Sequence, residues 1–344
     1  SALIISPLIS FANLIEKLVL PLAVGPAMII VGVLVMFIKM SSSVNSKMQY
    51  SEKILVVSSS IKKRLLKKSI TDKLSELVRS NEKILWDNVA SEFTLNKSFS
   101  SKDLNQLRLQ FRGANIDLNL IETNQKNNRR KKLLVADMDS TILSSETLDD
   151  LANLIGKKNE IEKITNDAMQ GKINFVSSLL KRVKALSKTN TNYLDIINKS
   201  LIYNDGAREL VSTMKSNGSI CALCTGGFYY IADTVKKTLG FDHVQANTLE
   251  IKNGFITGKL LEPIFNEKSK LEFLEKLINK YKLNLENTCA IGDGANDIEI
   301  IKKSSLGVSF KGKKILKENT RFLLDHSDLT GLLFLQGYSK SEIK

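Results

Sequence analysis

Asp137 and Asp139 stand one residue apart, directly after the apolar run Leu133-Leu134-Val135-Ala136. On an extended backbone, residues i and i+2 share a side, so both carboxylates face one volume while Met138 turns away. Two acids facing one pocket can divide labour, one attacking as a nucleophile and the other moving a proton. Taken alone, the same residues also fit a strand closed by an acidic turn. Two further strand ends carry chemistry. Gly292-Asp293-Gly294-Ala295-Asn296-Asp297 follows Thr288-Cys289-Ala290-Ile291 and precedes a helical stretch from about 298. A third strand, 219–224, closes on Thr225-Gly226-Gly227 and opens an amphipathic helix over 228–239, where a hydroxyl and backbone amides suit a phosphate. Lys270, at the start of the helix leading into the Asp293 strand, offers a cation; only its spacing favours it over Lys268.

These strand ends need a common sheet edge. Strands alternate with helices after residue 131, as a doubly wound α/β sheet requires, and ligands of such sheets bind outside the carboxyl ends of the strands. Residues 148–202 interrupt this order after the first strand with four helices, 148–155, 160–169, 175–186 and 193–201, as an inserted cap would. Such a cap can close over a substrate and exclude bulk water.

With these motifs in this order, residues 131–337 resemble the haloacid dehalogenase (HAD) superfamily and, within it, the phosphoserine phosphatases. The resemblance implies a Rossmann-like HAD hydrolase core with a helical cap, and hydrolysis of O-phospho-L-serine through an aspartyl phosphate. It implies that Asp137 is the nucleophile and Asp139 the general acid and base. Mg²⁺ would sit on Asp137, Asp293 and the backbone carbonyl of Asp139, with Asn296 and Asp297 orienting that shell. Thr225, Gly226, Gly227 and Lys270 would bind the phosphate. Glu146 would read the substrate ammonium, Arg182 its carboxylate, and Met169 and Phe175 would close over the site. Thr225 departs from the Ser of many members but keeps the hydroxyl. Plainer readings remain for the cap residues: Glu146 as a helix-capping acid, Arg182 as a solvated surface cation, Met169 and Phe175 as core. Hydrolysis of another small phosphomonoester, phosphoryl transfer to an alcohol and a membrane-anchored amino-acid sensor stay open as alternatives.

Other chemistries lack material. His243 and His326 are the only histidines, too few for a multi-His metal site. Gly254-Phe255-Ile256-Thr257-Gly258-Lys259 has the wrong spacing for a phosphate-binding P-loop, and Asn253-Gly254 reads as a hairpin turn instead. Cys221 and Cys224 fall on opposite faces of one strand, so with Cys289 they read as buried, reduced thiols. The net charge of +14 is spread along the chain without a nucleic-acid motif. It favours an anionic small-molecule substrate or an anionic membrane surface.

Upstream lie two more expectations. Within the hydrophobic segment 1–47, residues 18–38 carry no charge and are long enough for a transmembrane helix; basic residues follow, placing the catalytic part in the cytoplasm, tethered to a membrane. Residues 50–125 read as strand, helix, one or two strands, helix, strand, a small α+β unit of ferredoxin-like type that weakly resembles ACT-like regulatory domains. Residues 124–132 read as a polar linker to the phosphatase domain, 131–344. A homodimer completes the expected partners.

Overall fold

The computed structural model describes residues 52–123, 129–170 and 172–344. The expected transmembrane segment, 18–38, lies outside them; among the described residues no helix is long and apolar enough to cross a membrane. Residues 51–344 form one compact unit built on two sheets.

The first sheet holds β1 (Glu52–Ser58), β2 (Glu82–Trp86), β3 (Ala90–Leu95) and β4 (Asp117–Thr123), in the antiparallel order β2-β3-β1-β4. Helix α1 (Lys68–Val78) follows β1 and α2 (Ser101–Gln110) follows β3, giving the βαββαβ order of a ferredoxin-like unit. Both faces of β1 are apolar, because both are covered. Leu55 and Val57 pack with Leu74, Leu104 and Leu107 of the helices, whereas Ile54 and Val56 belong to the same core as Leu332 to Leu335 near the carboxyl terminus. Trp86 meets Phe334 edge to face, with ring centroids 6.4 Å apart.

The second sheet has the order β11-β10-β9-β5-β6-β7-β8. It comprises β5 (Leu133–Ala136), β6 (Ile220–Phe228), β7 (His243–Lys252), β8 (Phe255–Leu261), β9 (Thr288–Gly292), β10 (Leu306–Phe310) and β11 (Phe322–Leu324). All neighbours are parallel except the β7–β8 hairpin, whose turn places Asn253 and Gly254 at φ 51° and 79°, as a two-residue primed turn needs. Alternation along the strands separates the faces. Leu134, Cys221 and Cys289 look to one core, and Leu133, Cys224 and Ala290 to the other, and all three thiols are free and buried.

Between β5 and β6 the chain makes α3 (Thr147–Leu154), α4 (Lys158–Met169), α5 (Phe175–Ala185) and α6 (Asn192–Lys199), the four expected cap helices, and then α7 (Ala207–Ser216). The remaining helices are α8 (Tyr229–Leu239), α9 (Glu267–Lys280), α10 (Ile298–Lys303), α11 (Lys314–Lys317) and α12 (Gly331–Leu335). From the central β5 the chain runs outward through β6 and β7, then returns to build β9, β10 and β11 on the other side. The reversal places a crevice at the carboxyl ends of β5, β6 and β9.

Residues 124–128 of the expected polar linker lie outside the described residues, and two of the others correct it. Arg129 and Lys131 are buried: Arg129 donates to Glu92 Oε2 (2.6 Å), Leu335 O (2.9 Å) and Phe334 O (3.1 Å), and Lys131 to Glu286 O (2.8 Å) and Ser305 Oγ (3.0 Å). Long cationic side chains look solvent-directed in a sequence, but here they satisfy carbonyls at the seam between the sheets. Across that seam Asp117 accepts from the amides of Asp325, His326 and Ser327, and Asn119 exchanges two hydrogen bonds with Leu323. Edge strand β11 is thereby covered.

Candidate active site

Asp137 is the first residue beyond β5, and its amide donates to Ile291 O of β9 at 2.9 Å, which holds it beside the strand that delivers Asp293. The carboxylates of Asp137, Asp293 and Asp297 each offer an oxygen within 4.8 Å of the others. Asp297 comes this close because Gly292 has no side chain; a Cβ there would stand 2.3 Å from Asp297 Cγ. Lys270, from the first turns of α9, is buried and bridges Asp137 Oδ1 and Asp297 Oδ1, each at 2.7 Å. Lys268 is exposed, whereas Lys270 reaches the acidic cluster.

One ammonium does not balance three carboxylates. Burial, reinforced by Asp297, raises Asp137 well above the usual carboxyl range, against the pull of Lys270. Burial pushes Asp293 up to about 6, although Lys313 Nζ stands 3.6 Å from its Oδ2. A compact set of oxygen donors held against its own repulsion fits a hard divalent cation such as Mg²⁺.

Asp139 has partners of its own. Its Oδ1 accepts from Thr147 N at 2.9 Å and its Oδ2 from Thr225 Oγ1 at 3.3 Å, so the expected nucleophile and proton carrier have separate surroundings. The chain reverses just after it at Ser140, whose φ of 55° is a left-handed conformation, and Ser140 N closes the turn on Ser145 O. Burial, then the nearby charge of Glu146, push Asp139 up to about 6, an acid near its working range.

The phosphate loop differs from its expected form. Strand β6 does not stop at Cys224 but continues to Phe228, with a register shift against β7 between those residues that bulges out Thr225, Gly226 and Gly227. Gly227 N donates to Thr225 Oγ1 at 2.9 Å instead of standing free. Gly227 itself is required, since a Cβ would lie 2.8 Å from Asp139 Oδ2. Asp297 likewise departs from a purely supporting place, since its carboxylate joins the acidic cluster; Asn296 sits beside Gly294 at its edge.

Three cap residues converge from above. Phe175, at the start of α5, comes within 3.2 Å of the Cβ position of Gly226. Arg182 is half-buried, with Asp149, Glu146 and Asp139 as its charged neighbours and a buried Nε that lacks a hydrogen-bond partner. The surface reading of Arg182 therefore fails. Glu146 makes no helix cap and instead accepts from Ser140 Oγ at 2.8 Å. Met169 ends α4, and its side chain lies outside the described residues. Asp149 and Lys313 have no counterpart in the sequence reading. Each looks like an ordinary exposed charge, and only the tertiary fold brings it to the site.

The haloacid dehalogenase-like hydrolase family profile matches residues 134–302. The phosphoserine phosphatase of Methanocaldococcus jannaschii is 38% identical over 205 residues, 60% of this chain and 97% of that protein. A solved phospho-aspartyl intermediate analogue of phosphoserine phosphatase is 38% identical with a TM-score of 0.56, covering 60% of this chain and 98% of its own. An unliganded probable phosphoserine phosphatase from Vibrio cholerae, 26% identical with a TM-score of 0.69, covers 84% of this chain and 87% of its own, which is more than the catalytic part alone. Sequence motifs, crevice and relatives agree, and the chain belongs to the phosphoserine phosphatases of the haloacid dehalogenase-like hydrolase family.

Proposed function

We propose that this protein hydrolyses O-phospho-L-serine to L-serine and phosphate. The observation that carries the reading is the pairing of two different ends in one crevice. Acids and a buried lysine face a phosphoryl group, while Arg182, with an unpartnered Nε, and Glu146 stand over Asp139 where an amino-acid end would lie.

Asp137 Oδ attacks phosphorus as the bond from phosphorus to the serine oxygen breaks, forming an aspartyl phosphate. Asp139, protonated near its raised pKa, gives its proton to the departing serine oxygen. The resulting Asp139 carboxylate then takes a proton from water as that water attacks phosphorus, freeing Asp137 and phosphate. Lys270 and Thr225 hold phosphate oxygens and the Gly226 amide adds a donor, while Gly227 N steadies the Thr225 hydroxyl. Arg182 grips the carboxylate and Glu146 the ammonium, while Phe175 and Met169 shield the centre. Asp137, Asp293 and the Asp139 carbonyl, with Asp297 and Asn296 around them, are the residues to hold Mg²⁺, which when bound supplies positive charge to the phosphoryl oxygens. Phosphate release from a panel of phosphomonoesters with Mg²⁺ tests the reading. Preference for phosphoserine is expected, and equal turnover of simple alkyl phosphates would refute it.

Three finer parts of the proposal reach beyond the crevice. Residues 18–38 tether the protein to the cytoplasmic face of a membrane, so that the full chain sediments with membranes and a chain beginning at Met48 does not. The ferredoxin-like unit acts as an ACT-like regulatory module, expressed as a change in turnover on adding a free amino acid. Two copies pair, which sedimentation velocity would register.

A further inference from the structure

Asn247 on β7 is fully buried, and nothing in the sequence pattern singles it out. Its Nδ2 donates to Gly226 O at 2.8 Å and to Phe265 O at 3.3 Å, while its Oδ1 accepts from Phe265 N at 2.8 Å. Those partners fix the amide's orientation, since a backbone carbonyl only accepts and a backbone N–H only donates.

Each bond has a consequence for the site. Asn247 lies opposite Phe228 in the β6–β7 pairing, at the end of the register shift that leaves Thr225, Gly226 and Gly227 outside the ladder. A bulged segment with two glycines has wide backbone freedom. Gly226 O and Gly227 N belong to one planar peptide unit. Asn247 holds its carbonyl end, and its N–H end donates to Thr225 Oγ1 at 2.9 Å. That hydroxyl in turn donates to Asp139 Oδ2 at 3.3 Å. On the other side, Phe265 immediately precedes Asn266, the N-cap of α9, whose first turns carry Lys270. One buried side chain thus ties the loop that offers a hydroxyl to the helix that offers an ammonium.

Building on the phosphatase reading, we propose that Asn247 is a positioning residue that locks the Thr225–Gly227 loop to the Lys270 helix, setting the two at the separation that lets both grip one phosphoryl group. The residue never touches substrate. Its effect falls on the phosphate loop and the Thr225 contact to Asp139 and not on the choice of substrate, because Glu146 and Arg182 lie on the cap side, to which it makes no hydrogen bond.

Asn247→Asp keeps the acceptor for Phe265 N but loses the donor and turns an oxygen toward Gly226 O. Asn247→Ser keeps a small polar group that cannot span both partners. The test is equilibrium binding of inorganic phosphate to the Mg²⁺-loaded full chain, alongside kcat and KM for phosphoserine and for a simple alkyl phosphate. Phosphate affinity and kcat/KM should each fall ~10-fold or more, the loss expected when a buried amide hydrogen bond gives way. The ratio of phosphoserine to alkyl phosphate turnover should stay that of the unaltered protein. A merely structural role would lower the unfolding midpoint and leave phosphate affinity per folded molecule intact; that result in either variant overturns the proposal, and Asn247→Ser decides if Asn247→Asp does not fold. Failure of the unaltered protein to turn over phosphoserine would sink the substrate reading instead, and the phosphate-binding comparison would still judge Asn247.

Discussion

Asp139→Asn separates the ionisation of this acid from its shape. Asn can accept from Thr147 N through its carbonyl oxygen and offer its NH₂ to a rotated Thr225 hydroxyl, so both contacts at Asp139 survive. What disappears is the charge. In the folded protein Asp139 is pushed from 3.8 up to about 6 by burial and by Glu146. As pH rises from about 4 to 6 the unfolded chain has released this proton while the folded chain still holds it, so ionisation draws the equilibrium toward unfolding. The contribution is absent below the unfolded pKa, grows through this window and is constant above it. Its ceiling is roughly 3 kcal/mol at 1.36 kcal/mol per unit; residual solvent contact brings the expectation to about 1–3 kcal/mol.

Metal-free Asp139→Asn should therefore be more stable than the unaltered protein at pH 8 by that amount, and equal to it near pH 4. Urea denaturation with a chelator at both pH values measures the difference. Turnover of phosphoserine should be lost at the same time, since the amide neither protonates the leaving oxygen nor activates water. An unchanged stability difference between pH 4 and pH 8, or a variant that still turns over, would refute the assignment of Asp139 as a proton carrier held above its normal pKa.

Lys270→Met leaves Asp137 and Asp297 buried without their cation, so metal-free stability should fall by about 3–5 kcal/mol at pH 8 and by less at pH 5, where Asp137, held above its usual range, takes up a proton; an equal loss at both would count against the bridge. Arg182→Ala should lower kcat/KM for phosphoserine by at least ~10-fold and barely affect an alkyl phosphate, with Arg182→Lys recovering only part, and an unchanged substrate ratio would remove Arg182 from recognition. Asp117→Ala orphans the amides of Asp325, His326 and Ser327 and should cost about 3 kcal/mol in urea denaturation without changing kcat per folded molecule; a loss below about 0.5 kcal/mol would mean that the seam does not hold the sheets together. Gly227→Ala should abolish turnover by driving a methyl against Asp139, whereas normal activity would show that the loop yields.

The crevice is legible in the sequence because each part of it ends a strand. Short apolar runs such as Leu133 to Ala136 have one plausible state when buried on both faces, and the polar residue after each run must emerge at the sheet edge. Four residues therefore locate Asp137 and, by the same logic, Asp293. The bulge at Thr225 to Gly227 is not legible in this way, because glycines permit both a helix start and an irregular strand, and the choice depends on Asn247 across the ladder.

The seam between the sheets shows the converse limit. Asp117, Asn119, Arg129 and Lys131 look like surface residues because sequence patterning treats polarity as exposure, yet each is buried. Besides side chains such as Glu92 and Ser305, their partners are backbone groups of Leu323 to Ser327, Phe334, Leu335 and Glu286, and backbone groups carry no sequence signal. Arg129 and Lys131, expected within a polar linker, instead fill the joint with hydrogen bonds. The same inversion applies within the crevice, where Arg182 reads as a solvated cation until four cap helices fold around it. Side chains that recognise apolar neighbours announce themselves by periodicity, whereas those that recognise backbone or a bound anion become visible only once the chain has placed their partners.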